Sequence, residues 1–145
     1  MLGMLMASVF SKIISGEFPG HFVWQDERVV AFLTIAPIRA GHVLVVPREE
    51  VDHWDDVDSV DRARLFEVSH TITKALKVCF PSERVGLMIA GLEVPHTHIH
   101  LMPIDSMGDM DFSQAKQAEA DELALHADML RCELQAMGEV HADCV

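Results

Sequence analysis

Three histidines, His96, His98 and His100, alternate through the run VPHTHIHLMP. In an extended segment successive side chains point to opposite faces, so the three imidazoles share one face about 6.6 Å apart. Thr97, Ile99 and Leu101 then face the other way, and two of these are core-forming. Three rings on one face bring six nitrogens that all need partners, a cost that packing alone does not offset. Two chemistries suit such a row. One is metal binding, because HxH on a strand is a familiar zinc-ligand spacing. The other is covalent catalysis, in which a neutral His98 attacks phosphorus while its neighbours orient it or bind phosphate oxygens. The motif alone does not separate them.

The elements that must carry this row can be read from apolar spacing and breakers. A short helix and turn fall within 11–19, ended by Gly16 and Pro19. Two β-prone runs, 22–24 and 28–33, flank Gln25, Asp26 and Glu27 as a hairpin. A buried strand spans 42–46, stopped by Pro47. Over 58–80, Leu65, Ile72, Leu76 and Cys79 recur at helical intervals, with Asp58 or Ser59 as N-cap and Pro81 as terminator. Strands at 85–90 and 96–103 follow, joined through Gly91 and Pro95. From 114 to 137 a narrow seam of Ala120, Leu123, Ala127, Leu130, Leu134 and Met137 predicts a second long helix. That helix packs on its own domain or across a dimer. Several strands with one long helix between them give an α+β class with a mostly antiparallel sheet. The acidic run around Trp54 reads as a solvated loop, and Trp24 and Trp54 are both expected to pack.

Composition narrows the options further. With 145 residues the chain is long enough for one self-supporting domain. A formal charge of −12 disfavours a general nucleic-acid binder, which needs clustered Lys and Arg. No apolar run approaches the roughly 18 residues of a membrane span. Cys79, Cys132 and Cys144 are scattered and odd in number, so a reducing, cytoplasmic setting is expected.

VPHTHIHLMP, preceded by AGLE and by the upstream AGHVLVVP, resembles the histidine-triad (HIT) family, marked by His-φ-His-φ-His-φ-φ with φ apolar. Only Thr97 departs from that pattern. SVFSKIISGEFP and FVWQDERVVAFLTIAPIRAGHVLVVP are similar, in order, to the family's opening helix, first hairpin and the strand with its fourth histidine. The resemblance covers residues 7–104. It leaves 1–6 as a candidate N-terminal extension and 105–145 as a C-terminal loop and helix.

The resemblance implies a HIT-like fold, a five-stranded and mostly antiparallel sheet with a C-terminal helical extension, assembled as a homodimer. It also implies hydrolysis or nucleotidyl transfer at the α-phosphorus of purine nucleoside phosphoramidates or dinucleoside polyphosphates, through a nucleotidyl-histidine intermediate. By position His98 is the nucleophile, His96 and His100 flank it, and His42 supports it. Val9, Phe10, Ile13, Phe32 and Ile35 correspond to the nucleobase pocket, and Thr34 to a ribose contact. Gly91, Glu93 and Val94 stand where the family meets phosphate. No cofactor is required, although a divalent metal ion can accompany a polyphosphate substrate.

The departures carry information. Thr34 replaces the family's usual Asp, and a hydroxyl accepts from a ribose more weakly than a carboxylate. The loop before the triad is short and lacks the family's Asn. Glu93 occupies a position where many relatives have Ser or Thr, and a carboxylate beside an α-phosphate is electrostatically awkward. Either Glu93 turns outward, or the substrate departs from the family norm. Some members hold a structural zinc through CxxC near the start and a His after the GHxLVxP strand. Here Ser8, Ser11 and Glu50 stand at those positions, which argues against that metal site. A nucleotide-binding module with little catalysis, and a zinc-binding protein using the HxHxH strand, are the rival functions.

Overall fold

The computed structural model describes residues 7–142, so the candidate extension at 1–6 and Cys144 lie outside the described residues. The chain opens with α1 (Val9–Ile14), whose N-cap Ser8 accepts from the Ser11 N–H. The hairpin is β1 (Phe22–Gln25) and β2 (Val29–Leu33). Asp26 organises its turn, accepting from the Arg28 and Val29 N–H groups while its other oxygen takes Trp24 Nε1 and Arg64. β3 (Val43–Pro47) follows, then the long helix α2 (Ser59–Cys79) capped by the Asp58 side chain. β4 (Arg84–Met88), β5 (Ile99–Ile104) and α3 (Ala120–Ala136) complete the order.

The five strands form one antiparallel sheet in the order β1-β2-β3-β5-β4. Its faces have different tasks. Val29, Ala31 and Leu33 of β2, Val43 and Val45 of β3, and Ile99 and Leu101 of β5 join α2 and α3 in the main core. The alternate residues Val30, Phe32, Leu44 and Val46 meet Phe10 of α1 in a second cluster on the opposite face. The period of two along each strand therefore delivers His98 and His100 to the α1 face while their neighbours anchor the core.

Several element boundaries differ from expectation; β4, for one, spans Arg84–Met88 and stops short of residue 90. Regular pairing in the last strand begins at Ile99, so His98 lies just before it and His96 in the bend leading to it, where its N–H donates to the Val94 carbonyl. β3 runs one residue further, through Pro47, whose carbonyl is taken by His96 Nε2 at 2.8 Å. α3 starts at Ala120, because the Lys116 and Ala118 N–H groups bond to the Pro37 and Ile35 carbonyls and draw the preceding segment out as extended chain. The opening helix sits nearer the N-terminus than 11–19. Trp24 packs as expected, but Trp54 is half-exposed on a short 3-10 turn.

The α3 seam closes against its own domain: Leu123, Ala127, Leu130 and Leu134 are buried with residues of α2 and β1 in the main core. Leu130→Ala is accordingly expected to lower unfolding free energy by about 2–5 kcal/mol. Urea denaturation checks this; a loss no larger than that of an exposed Leu125→Ala control would mean that α3 contributes little to the core.

Candidate active site

Four imidazoles gather on the α1 face, and their hydrogen bonds fix which nitrogen carries each proton. The Ile38 backbone N–H donates to His42 Nδ1 at 3.1 Å, so that nitrogen is an acceptor. His42 Nε2–H then donates to His100 Nδ1 at 3.0 Å, which leaves the proton of neutral His100 on Nε2. His98 Nδ1–H donates to the His96 carbonyl at 2.7 Å, so its Nε2 presents a lone pair. His96 has both nitrogens engaged, with Nε2–H on the Pro47 carbonyl and Nδ1 accepting from the Ser8 hydroxyl, each at 2.8 Å. One ring is thus free to attack, one offers a donor, and two hold their neighbours.

Burial favours the neutral form of His42, His96 and His100. It pushes His42 down to about 3, with His100 and His98 adding to the effect. Burial and His98 push His100 down to about 4, against an opposing pull from Glu93. His96 is lowered as well, chiefly by burial, with its Pro47 hydrogen bond and Glu50 opposing. Neutrality lets each of these three rings donate at one nitrogen and accept at the other.

Aromatic rings set the walls. Phe10 meets His98 edge-on at 4.9 Å and also touches His96 and Phe32. Phe112 packs edge-on against His100 at 4.8 Å. Sequence reasoning did not find Phe112: it lies in what reads as a loop, and only the fold brings it to β5, near Met102 and Ile104. The Ile38 N–H and the Pro47 carbonyl were equally hidden, since any residue type supplies them.

The expected pocket residues divide. Phe10 and Phe32 are buried beside the triad, and half-buried Ile13 and Val94 pack against them. Val9 is 40% exposed at the start of α1. Ile35 is 61% exposed and lines a separate hollow with Pro19, His21 and the segment entering α3. Thr34 uses its hydroxyl locally, accepting from the Ala36 N–H. Gly91 adopts φ +80°, a conformation that favours glycine, in the loop that carries Glu93. Glu93 does not turn outward: its Oε2 lies 3.8 Å from His100 Nε2.

At the triad, two donor sets bear on metal binding. Ser8, Ser11, Glu50 and His96 satisfy one another, because Glu50 Oε1 accepts from the Ser8 N–H and the Ser11 hydroxyl while Ser8 bonds His96. With no thiolate present and both His96 nitrogens engaged, this corner does not fit a structural zinc. It works instead as a hydrogen-bonded brace from α1 to the triad. Ser8→Ala removes both the N-cap and the His96 contact, so a stability loss of about 1–2 kcal/mol is expected. Denaturation would show it, Ser8→Thr should retain most of the stability, and an unchanged midpoint in the alanine variant would contradict the brace. The second set is Glu93, His98 and His100, with ligand atoms within 4.8 Å of one another. A metal there would require His100 to surrender its Nε2 proton.

Comparison with known proteins places this geometry. The HIT domain family model matches residues 15–107. A HIT-like protein of Methanocaldococcus jannaschii is 33% identical over 121 residues, covering 79% of this chain and 94% of that protein. The purine nucleoside phosphoramidase of Escherichia coli K12 is 30% identical over 113 residues, covering 74% of this chain and 95% of the enzyme. Among solved structures, a Hit-like protein of Bartonella henselae involved in cell-cycle regulation superimposes with a TM-score of 0.78 at 25% identity, covering 87% of this chain and 95% of that one.

Proposed function

This chain belongs to the HIT family, and from that premise we propose that it is a nucleotide hydrolase or nucleotidyl transferase working through a nucleotidyl-His98 intermediate. Its substrates are purine nucleoside phosphoramidates or dinucleoside polyphosphates, cleaved at the α-phosphorus. The observation that carries this reading is the proton arrangement: His98 Nδ1 is committed to the His96 carbonyl, which aims an unprotonated Nε2 at the cleft. The similarity to a purine nucleoside phosphoramidase adds support for a P–N bond as target.

In the first displacement the His98 Nε2 lone pair bonds to phosphorus, and the P–N or P–O bond breaks with its electron pair leaving on the departing atom. In the second, water attacks phosphorus and the bonding pair returns to Nε2. A leaving amine takes up one proton and the attacking water releases one, so the two steps balance. His100 donates its Nε2–H to a phosphoryl oxygen or to the leaving atom, and His42 holds that proton in place. Phe10, Ile13 and Phe32 clasp the base, and Val94 lies where phosphate enters. The chemistry itself needs no metal, and a divalent ion enters only with a polyphosphate.

We assign the protein to the cytoplasm as a homodimer. Scattered cysteines suit a reducing compartment, and the edge strand β4 leaves Leu87 42% exposed for a second copy. Among the described residues no helix is long and apolar enough to cross a membrane. Incubation of the purified chain with adenosine 5′-phosphoramidate should release AMP. Binding of AMP by calorimetry without any release would favour the rival binding module, and Thr34 would then be the first position to restore to Asp.

A further inference from the structure

Glu93 is the polar group at the triad that the reaction above leaves without a task. Its carboxylate lies 3.8 Å from His100 Nε2, and its side chain is 46% exposed at the cleft. One of its oxygens lies within 4.8 Å of ligand atoms of both His98 and His100, the region a phosphoryl group must enter to meet Nε2. His100 is neutral near pH 7, so the Glu93 charge is not cancelled by its nearest ring.

Among the described residues no lysine or arginine lies within ion-pair distance of Glu93, and four of the arginines are held by other carboxylates. Arg28 pairs with Asp61, Arg39 with Asp105 and Asp109, Arg64 with Asp26, and Arg131 with Asp128. The whole chain carries −12. Sites that process polyphosphates ordinarily gather positive charge around them. This one places a carboxylate there instead.

We propose that Glu93 is a charge filter that directs the site towards nucleotides whose leaving group is an amine and against those that leave as a polyphosphate. The inference rests on the nucleotidyl-transfer reading above and narrows its substrate class. An amine adds no negative charge beside Glu93, and an aminoalkyl arm would be attracted to it. A polyphosphate brings several negative charges into a partly desolvated cleft, where like charges a few ångströms apart weigh more than in bulk water.

The test compares kcat/KM for adenosine 5′-phosphoramidate and diadenosine tetraphosphate in the parent chain, Glu93→Gln and Glu93→Asp. The parent should prefer the phosphoramidate, and Glu93→Gln should narrow the preference about tenfold, mainly by faster polyphosphate cleavage. Glu93→Asp should keep the preference, which a merely structural role would not require. Added salt should narrow the ratio in the parent more than in Glu93→Gln. Equal ratios in the parent and Glu93→Gln would overturn the proposal. If the parent cleaves neither substrate, the nucleotidyl-transfer reading fails, and the filter is then read from binding alone. Calorimetric titration with metal-free ATP and AMP should show Glu93→Gln tightening ATP more than AMP; equal changes would overturn it.

Discussion

Replacing His98 with alanine is expected to lower AMP release from adenosine 5′-phosphoramidate by at least about 10³-fold, while the protein remains folded. The size follows from the division of labour among the rings. His98 is the ring whose Nε2 lone pair is left free by the bonds around it, since His96 is engaged at both nitrogens and His100 carries its proton on Nε2. Removing the attacking nitrogen removes the first displacement altogether, and neither neighbour can take its place without losing a partner. His42→Ala should cost less in turnover, because His42 acts through His100 and not on phosphorus. A His98→Ala chain as active as the parent would transfer the chemistry to another group. Steady-state kinetics on both variants, with circular dichroism to check folding, decides between these.

The second large effect is a loss of stability in mild acid. His42 and His100 take up protons near pH 6.5 when unfolded, but only at about 3 and about 4 in the fold. Between those values the unfolded chain binds more protons, so stability rises with pH there. It is fully present above pH 6.5, declines steadily below that, and is completely lost once the pH has passed about 4 for His100 and about 3 for His42. At about 1.4 kcal/mol per pH unit for each ring, moving from neutrality to about pH 5 should cost on the order of 4 kcal/mol. His96, lowered by burial, shifts in the same direction. That is a large share of the roughly 5–15 kcal/mol that holds a domain together. Chemical denaturation at pH 7 and about pH 5 measures it directly. Equal stabilities at the two values would mean that the folded rings already carry protons, and a protonated His98 neighbourhood would be hard to reconcile with nucleophilic attack.

What could be read in advance followed from local patterns. Alternation through 96–101 put His98 and His100 on one face and Ile99 and Leu101 on the other before any pairing partner was known, and Ile99 and Leu101 do lie in the main core. Spacing in α3 identified Leu123, Ala127, Leu130 and Leu134 as its buried seam. The start of that helix was misplaced because the competing bonds, from Lys116 and Ala118 to the β2–β3 connection, join segments about eighty residues apart in sequence. Backbone partners are also silent in a sequence. The proton on His100 depends on the Ile38 N–H, and the orientation of His96 depends on the Pro47 carbonyl. Glu93 could be flagged as electrostatically odd from its position, but its direction required the loop geometry set at Gly91.

The central claim is a covalent bond between His98 and phosphorus. Rapid mixing of the chain with adenosine 5′-phosphoramidate, a denaturing quench under conditions that preserve P–N bonds, and peptide mapping tests it most directly. The account predicts a transient adenylyl group on the peptide containing His98, on the imidazole of that residue and absent from His98→Ala. Turnover with no such adduct at any time, or an adduct on His96 or His100, would contradict it.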